Sequence, residues 1–263
     1  MNAVQQNNVI IKGQGTEVML FAHGFGCDQN MWRFVTPAFE NDYKVVLFDH
    51  VGAGNSDLSA YSSEKYSQLD GYAADIVNIC EELGLENVIF VGHSVSSIIG
   101  MIAYLKSPNL FKSLIMVSPS PSYINDGDYV GGFTREQITE LMDSLDNNHL
   151  GWSMTMAPVI MANPEPGELA EELSNSFCRT NPDIAKEFAR TTFFSDKRDL
   201  LPKIGIPTLI LQCSDDVIAP EEVGIYMHDH IKDSEFVLME ATGHCPNLSA
   251  PEETIAAMKA FLL

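Results

Sequence analysis

The chain has 263 residues, 45% of them apolar, so one large core can form and global disorder is not expected. Its formal net charge of −21 argues against a nucleic-acid partner and against docking on an anionic membrane, since both need a basic surface. The five cysteines (Cys27, Cys80, Cys178, Cys213, Cys245) are scattered and form no Cys-x-x-Cys pair. They read as reduced thiols of a cytoplasmic protein, with neither a disulfide framework nor a zinc site. Residues 1–14 lack a basic segment followed by an apolar run, so no signal peptide is expected.

Short, nearly continuous apolar runs come first: Val18–Ala22, Val45–Phe48, Val88–Val91 and Leu114–Val117. Such runs suit strands buried on both faces of a parallel sheet. Helical patterns separate them. Leu69–Leu83 carries apolar residues three and four apart and stops at Gly84, and Ser94–Lys106 halts before Pro108. The alternation predicts an α/β sheet domain. After Ser120 the rhythm changes. Arg135–Leu145, Trp152–Met161, Glu168–Phe177 and Asp183–Phe194 read as helices, with breaks at Pro164, Pro166 and Pro182. Strands return at Ile206–Gln212 and Phe236–Met239, with helices at Glu221–Ile231 and Glu252–Leu262. The expected organisation is a core of residues 1–122 and 199–263 with a helical insertion at 123–198. No exposed apolar stripe stands out, which favours a monomer.

Gly92-His93-Ser94-Val95-Ser96 places a serine where a buried strand meets a helix. A sharp turn there lifts the hydroxyl above the sheet edge, and the helix that follows aims its positive end at the reacting oxygen. The usual motif is Gly-x-Ser-x-Gly; here Ser96 replaces the second glycine. His23-Gly24-Phe25-Gly26 directly follows the first strand, and on its own it is equally well read as a tight turn. Asp49–Ser56 holds a lone Gly-x-Gly with no third glycine and no helix, so it is read as structural. After the Ile206–Gln212 strand two carboxylates compete, Asp215 and Asp216. His244 follows the last strand, and an imidazole there can take a proton from Ser94 and return it to a leaving group. His228 and His230 are two apart in a helical stretch and face different ways, so they make no metal site. No metal and no cofactor are expected.

The order Ser, Asp, His resembles an α/β-hydrolase fold with an inserted helical lid. That resemblance selects Asp216, which stands four residues before the helix-opening Pro220. It also assigns the oxyanion-hole amides to Phe25 and Val95. A Ser nucleophile separates the chain from haloalkane dehalogenases and epoxide hydrolases of this fold, which attack with Asp.

His23–Trp32, Asp49–Asp57, Gly92–Ser96 and Ser118–Asp126 make the likeness narrower. So do Gly131–Phe133, Asn181–Ile184, Phe194–Asp196 and Gly243–Pro246. These segments resemble the RsbQ-like hydrolases, bacterial energy-stress regulators, and the related plant karrikin and strigolactone receptors. The resemblance implies a deep apolar pocket under the lid, lined by Phe25, Phe133, Trp152, Met156, Phe177 and Phe193. From helical spacing alone, such aromatics and methionines are more often simply core. It further implies hydrolysis of a small hydrophobic ester or lactone, and stress signalling through a partner serine phosphatase that carries a sensor domain. A metabolic carboxylesterase or lactonase and a hormone-receptor-like ligand sensor are the alternatives.

Overall fold

In the computed structural model, which describes residues 2–162 and 167–263, seven strands form one sheet. They are β1 (Ile10–Lys12), β2 (Glu17–Ala22), β3 (Tyr43–Phe48), β4 (Val88–His93), β5 (Phe111–Val117), β6 (Thr208–Asp215) and β7 (Ser234–Thr242). The order across the sheet is β1-β3-β2-β4-β5-β6-β7, and every pairing is parallel except β1 with β3. β1 was not expected: it is three residues long and exposed despite its two isoleucines, and the ladder to β3 is what makes it a strand.

We number the helices of ten residues or more from α1 (Leu69–Leu83) and α2 (Val95–Lys106). Then come α3 (Arg135–Asn147), α4 (His149–Met161), α5 (Gly167–Arg179) and α6 (Pro182–Phe193). The last are α7 (Glu221–His230) and α8 (Pro251–Leu262). The period-two geometry of a strand splits the apolar runs between two cores. Val18, Leu20, Val88 and Phe90 pack with Ile76 and Ile79 of α1, Ile98 and Ile99 of α2 and Met227 of α7. Met19, Phe21, Ile89 and Val91 face the other way, toward Trp32, Met258 of α8 and the helices α3 to α6. Both faces are covered, which is why these runs are continuously hydrophobic.

Helices α3–α6 all lie between β5 and β6. An antiparallel bridge between Ser122 and Asp196, and a Lys197 N–H donated to the Pro121 carbonyl, close the foot of this segment. The breaks expected at Pro164 and Pro166 lie outside the described residues. Leu150, Met154 and Val159 of α4 are 57%, 68% and 44% exposed. The monomer expectation rested on there being no such stripe, and that ground falls. The reason is that α4 is apolar all round, so no polar face marked its outer side in the sequence. Among the described residues no helix is long and apolar enough to cross a membrane.

Candidate active site

The sheet order reverses at β2 and β4: β2 continues toward β3 on one side, while β4 continues toward β5 on the other. Such a switch point leaves a crevice at the carboxyl ends of the two strands. His23–Gly26 leaves β2 there, and Ser94 leaves β4.

Ser94 has φ 55° and ψ −126°, a backbone geometry that L-residues rarely adopt. The turn is so tight that a Cβ at Gly92 would lie 2.7 Å from the Ser96 backbone, so Gly92 is obligatory. Ser94 Oγ donates to His244 Nε2 at 2.7 Å, and His244 Nδ1–H donates to Asp216 Oδ2 at 2.7 Å. Asp216 Oδ1 in turn accepts the amides of Ile218 (2.8 Å) and Ala219 (3.2 Å). An acceptor-only carboxylate fixes the proton on Nδ1 and leaves Nε2 free to take one from the serine. All three residues are buried. Asp215 is exposed and contributes only its carbonyl, which accepts the Gly243 N–H. The His244 amide donates to the carbonyl of Ile160, so the end of α4 braces this loop.

The remaining buried histidines hold the frame. His93 Nε2–H donates to the His244 carbonyl at 2.7 Å. Burial, together with the neighbouring His244, pushes the His93 imidazole down to about 3, so it stays neutral. His23 Nδ1–H donates to the Gly24 carbonyl, and its Nε2 accepts the His50 amide. Ser96 stands between them: its hydroxyl donates to the His23 carbonyl at 2.5 Å and accepts from His50 Nε2–H at 2.7 Å. The serine that breaks the usual motif therefore ties the Phe25 loop to the first turn of α2. Burial and His23 hold His50 well below its ordinary pKa, which keeps this arrangement uncharged. Phe25 and Val95 flank Ser94 from that loop and that turn. Their amides find no protein acceptor among the described residues.

A cavity of about 30 Å³ adjoins Ser94 and His244. At ~10–15 Å³ for each water it holds about two, whereas ligand pockets run to ~300–1,000 Å³. The deep pocket expected from the resemblance is thus nearly filled. Phe25 packs edge-on or tilted against Trp152, Phe177, Phe188 and Phe193, with ring centroids 5.6–6.2 Å apart, and that cluster fills it. Of the expected lining, Phe25, Phe177 and Phe193 do line the cavity. Trp152, Met156 and Phe133 do not. On α4 the cavity meets Ile160, one turn beyond Met156, because only the last turn of that helix reaches the His244 loop. Trp152 lies a layer back against Phe25 and Phe177. Phe133 is held in a bridge to Ile124, and its amide donates to the Tyr123 carbonyl.

Sequence reading missed Cys27, Tyr123, Leu173, Thr192, Ile218 and Cys245, all of which line the cavity. The position of Cys245 next to His244 was a usable signal; the others depend on how the helices pack. Tyr123 Oη lies 3.5 Å from Ser94 Oγ, and burial pushes its pKa up to about 12, so it keeps its proton. Burial also pushes the Cys27 thiol up to about 12 and the Cys245 thiol well up, so neither supplies a thiolate to compete with Ser94. Larger hollows lie elsewhere. One of about 420 Å³, lined by Ser122, Arg135 and Arg198, is polar, and its Arg198 is already paired with Asp126 and Asp196. Among the described residues no group of three or more His, Cys, Asp or Glu side chains gathers as a metal site.

Residues 17–251 match the alpha/beta hydrolase fold family. The chain belongs to that family. A karrikin insensitive 2 receptor of Petunia hybrida is 38% identical over 255 residues, covering 97% of this chain and 94% of the receptor. A strigolactone esterase of Arabidopsis thaliana is 36% identical over 253 residues, 96% of this chain and 94% of the esterase. A hydrolase from Oleispira antarctica superposes with a TM-score of 0.96 at 44% identity, covering 99% of this chain and 96% of that one. With family, relatives and fold in agreement, the chain is a serine hydrolase of the esterase type.

Proposed function

We propose that this esterase cleaves a small hydrophobic ester or lactone, with Ser94 as nucleophile, His244 as general base and Asp216 as the group that orients it. The continuous relay Asp216–His244–Ser94, 2.7 Å at each step, carries this reading. Ser94 Oγ attacks the carbonyl as its proton passes to His244 Nε2. The oxyanion forms against the Phe25 and Val95 amides, each donor of this kind contributing ~3 kcal/mol to the transition state. The imidazolium then protonates the leaving alcohol, and a water activated by the same imidazole releases the acid. Helices α3–α6 act as the lid, and admitting a substrate requires the Phe25, Phe177 and Phe193 side chains to part.

Short-chain p-nitrophenyl esters test this. The wild type turns them over, and Ser94→Ala loses activity by about 10⁴-fold or more while keeping its circular dichroism spectrum. Full activity in Ser94→Ala overturns the assignment.

A second reading is that hydrolysis serves sensing, as in an RsbQ-like regulator or a hormone-receptor-like protein. Its support is the 38% identity to a plant receptor along nearly the whole chain, and a cavity that must rearrange to take a ligand. Capture of a serine phosphatase with a sensor domain from the organism's own extract, dependent on added ligand, favours it. Rapid turnover of a metabolite with no partner favours the metabolic enzyme. We place the protein in the cytoplasm on the strength of its five free thiols.

A further inference from the structure

Thr192 is a polar residue in the wall that α6 gives to the cavity, and it is 1% exposed. Its Oγ1 has no hydrogen-bond partner among the described residues. A helical threonine ordinarily solves this problem by donating to the carbonyl four residues back. Thr139, Thr155, Thr180 and Thr254 all do so, at 2.9–3.2 Å. Thr192 does not use the Phe188 carbonyl. The cavity's other two hydroxyls, Ser94 and Tyr123, are 3.5 Å from each other and already engaged. The cavity is otherwise predominantly apolar and the Thr192 hydroxyl is buried in its wall, so leaving it unpaired costs stability, and such a cost is retained where a ligand supplies the missing bond.

We infer that Thr192 is the specificity-determining hydrogen-bond donor of this site, and that its preferred substrates carry a second oxygen acceptor besides the reacting ester. This deepens the esterase reading and rests on it. The sheet holds the reacting carbonyl at Ser94, and the insertion, through Thr192, takes an ether, ring or carbonyl oxygen on the non-reacting part. A pure hydrocarbon ester fits the same space but leaves the hydroxyl unpaired, so the site discriminates by the bond it fails to make.

Matched esters test it: phenyl butanoate against phenyl methoxyacetate places an oxygen in the acyl chain, and butyl acetate against 2-methoxyethyl acetate places one in the alcohol. Thr192→Val keeps the shape and removes the hydroxyl; Thr192→Ser keeps the hydroxyl. In at least one pair, Thr192→Val lowers kcat/KM for the oxygen-bearing ester about tenfold relative to its hydrocarbon partner, mainly through KM, and Thr192→Ser restores the wild-type ratio. Unchanged ratios in both pairs, with a wild type that hydrolyses all four esters, overturn the role of Thr192 and leave the esterase reading intact. Thermal unfolding gives a readout that does not need turnover. Thr192→Val melts at or above the wild type, because it removes an unpaired buried hydroxyl. A lower melting temperature shows the hydroxyl to be satisfied within the protein, and overturns the inference even if none of the four esters is cleaved.

Discussion

On the sheet side of the cavity, Ser94, His244 and Asp216 are each held by directed bonds of 3.2 Å or less, and His23, His50, His93 and Ser96 form a further layer behind them. On the insertion side, Ile160, Leu173, Phe177 and Phe193 meet the cavity through apolar surface, and Thr192 adds a hydroxyl with no partner. Directional bonds fix positions to fractions of an ångström, as proton transfer needs. Apolar packing is non-directional and can re-form around a guest. One wall is therefore built to hold still and the other to yield. Directed bonds also tie the two walls: the Ile160 carbonyl accepts the His244 amide, and Glu172 pairs with Arg33. Ser176 donates to the Gly26 carbonyl, and a Cβ at Gly26, where φ is +71°, would lie 1.7 Å from the Phe177 ring, so the loop and α5 touch with no room to spare.

Removing one hydroxyl from the rigid wall gives the largest effect on this comparison. Ser96→Ala leaves the His23 carbonyl and the His50 Nε2–H unpaired in a buried site, at a cost of about 2 kcal/mol in urea unfolding. It also frees the Phe25 loop from α2, so kcat falls about tenfold to a hundredfold while KM changes little. If kcat holds steady while stability falls, Ser96 is mere packing, and the rigidity of this wall does not reach the chemistry.

The same contrast decides what was legible in the sequence. Ser94 and His244 sit in short local motifs, because the turn and loop that present them are made by neighbours in the chain. Asp216 had a rival one residue away, and burial against the Ile218 and Ala219 amides is what distinguishes the two in space. Strands β2 to β6 were readable because burial on both faces writes itself as a continuous apolar run; β1, exposed and three residues long, had no such signature. The yielding wall was the opposite case. Trp152, Met156 and Phe133 belong to the same apolar vocabulary as Phe177 and Phe193, and only tertiary packing decides which of them meets the cavity: that of α4 against the His244 loop for Trp152 and Met156, and the bridge to Ile124 for Phe133. Thr192 was invisible for the same reason: its significance lies in a bond it does not make.

Acid sharpens the comparison at an intermediate scale. His50 and His93 both lie in the rigid wall, and burial lowers both pKa values in the folded state, that of His93 to about 3. The unfolded chain takes up these protons below its ordinary value of ~6.5 and the folded chain does not. Stability contributed by their neutral forms is thus present above about pH 6.5 and is lost as pH falls from there toward about 3. Between pH 7.0 and 5.5 the two together cost about 2–3 kcal/mol, read as a fall in the urea midpoint. A His93→Gln variant shows roughly half the fall. No fall at all means that a proton is already accommodated in the folded wall.

The smallest expected effect comes from the outer face of the yielding wall. Arg33 and Glu172 form a two-pronged ion pair, 2.8 and 2.7 Å, between the short helical turn after Asp28 and α5. A surface hollow of about 340 Å³ lies beside it, and Cys27 and Leu173 line both that hollow and the cavity at Ser94. Two side chains thus separate the solvent from the nucleophile at this point, and the ion pair spans the seam. The pair is a third exposed or more, so it contributes well under ~1 kcal/mol to stability, and Glu172→Gln moves the melting temperature little. Its effect is on access: at low salt Glu172→Gln raises kcat/KM for a hydrophobic ester about twofold, with kcat unchanged. In 0.5 M salt the difference disappears, because screening has already loosened the wild-type pair. Equal values at low salt place the route of the substrate elsewhere along α5 and α6, and leave the division between a fixed wall and a yielding one to stand on Ser96 and Thr192.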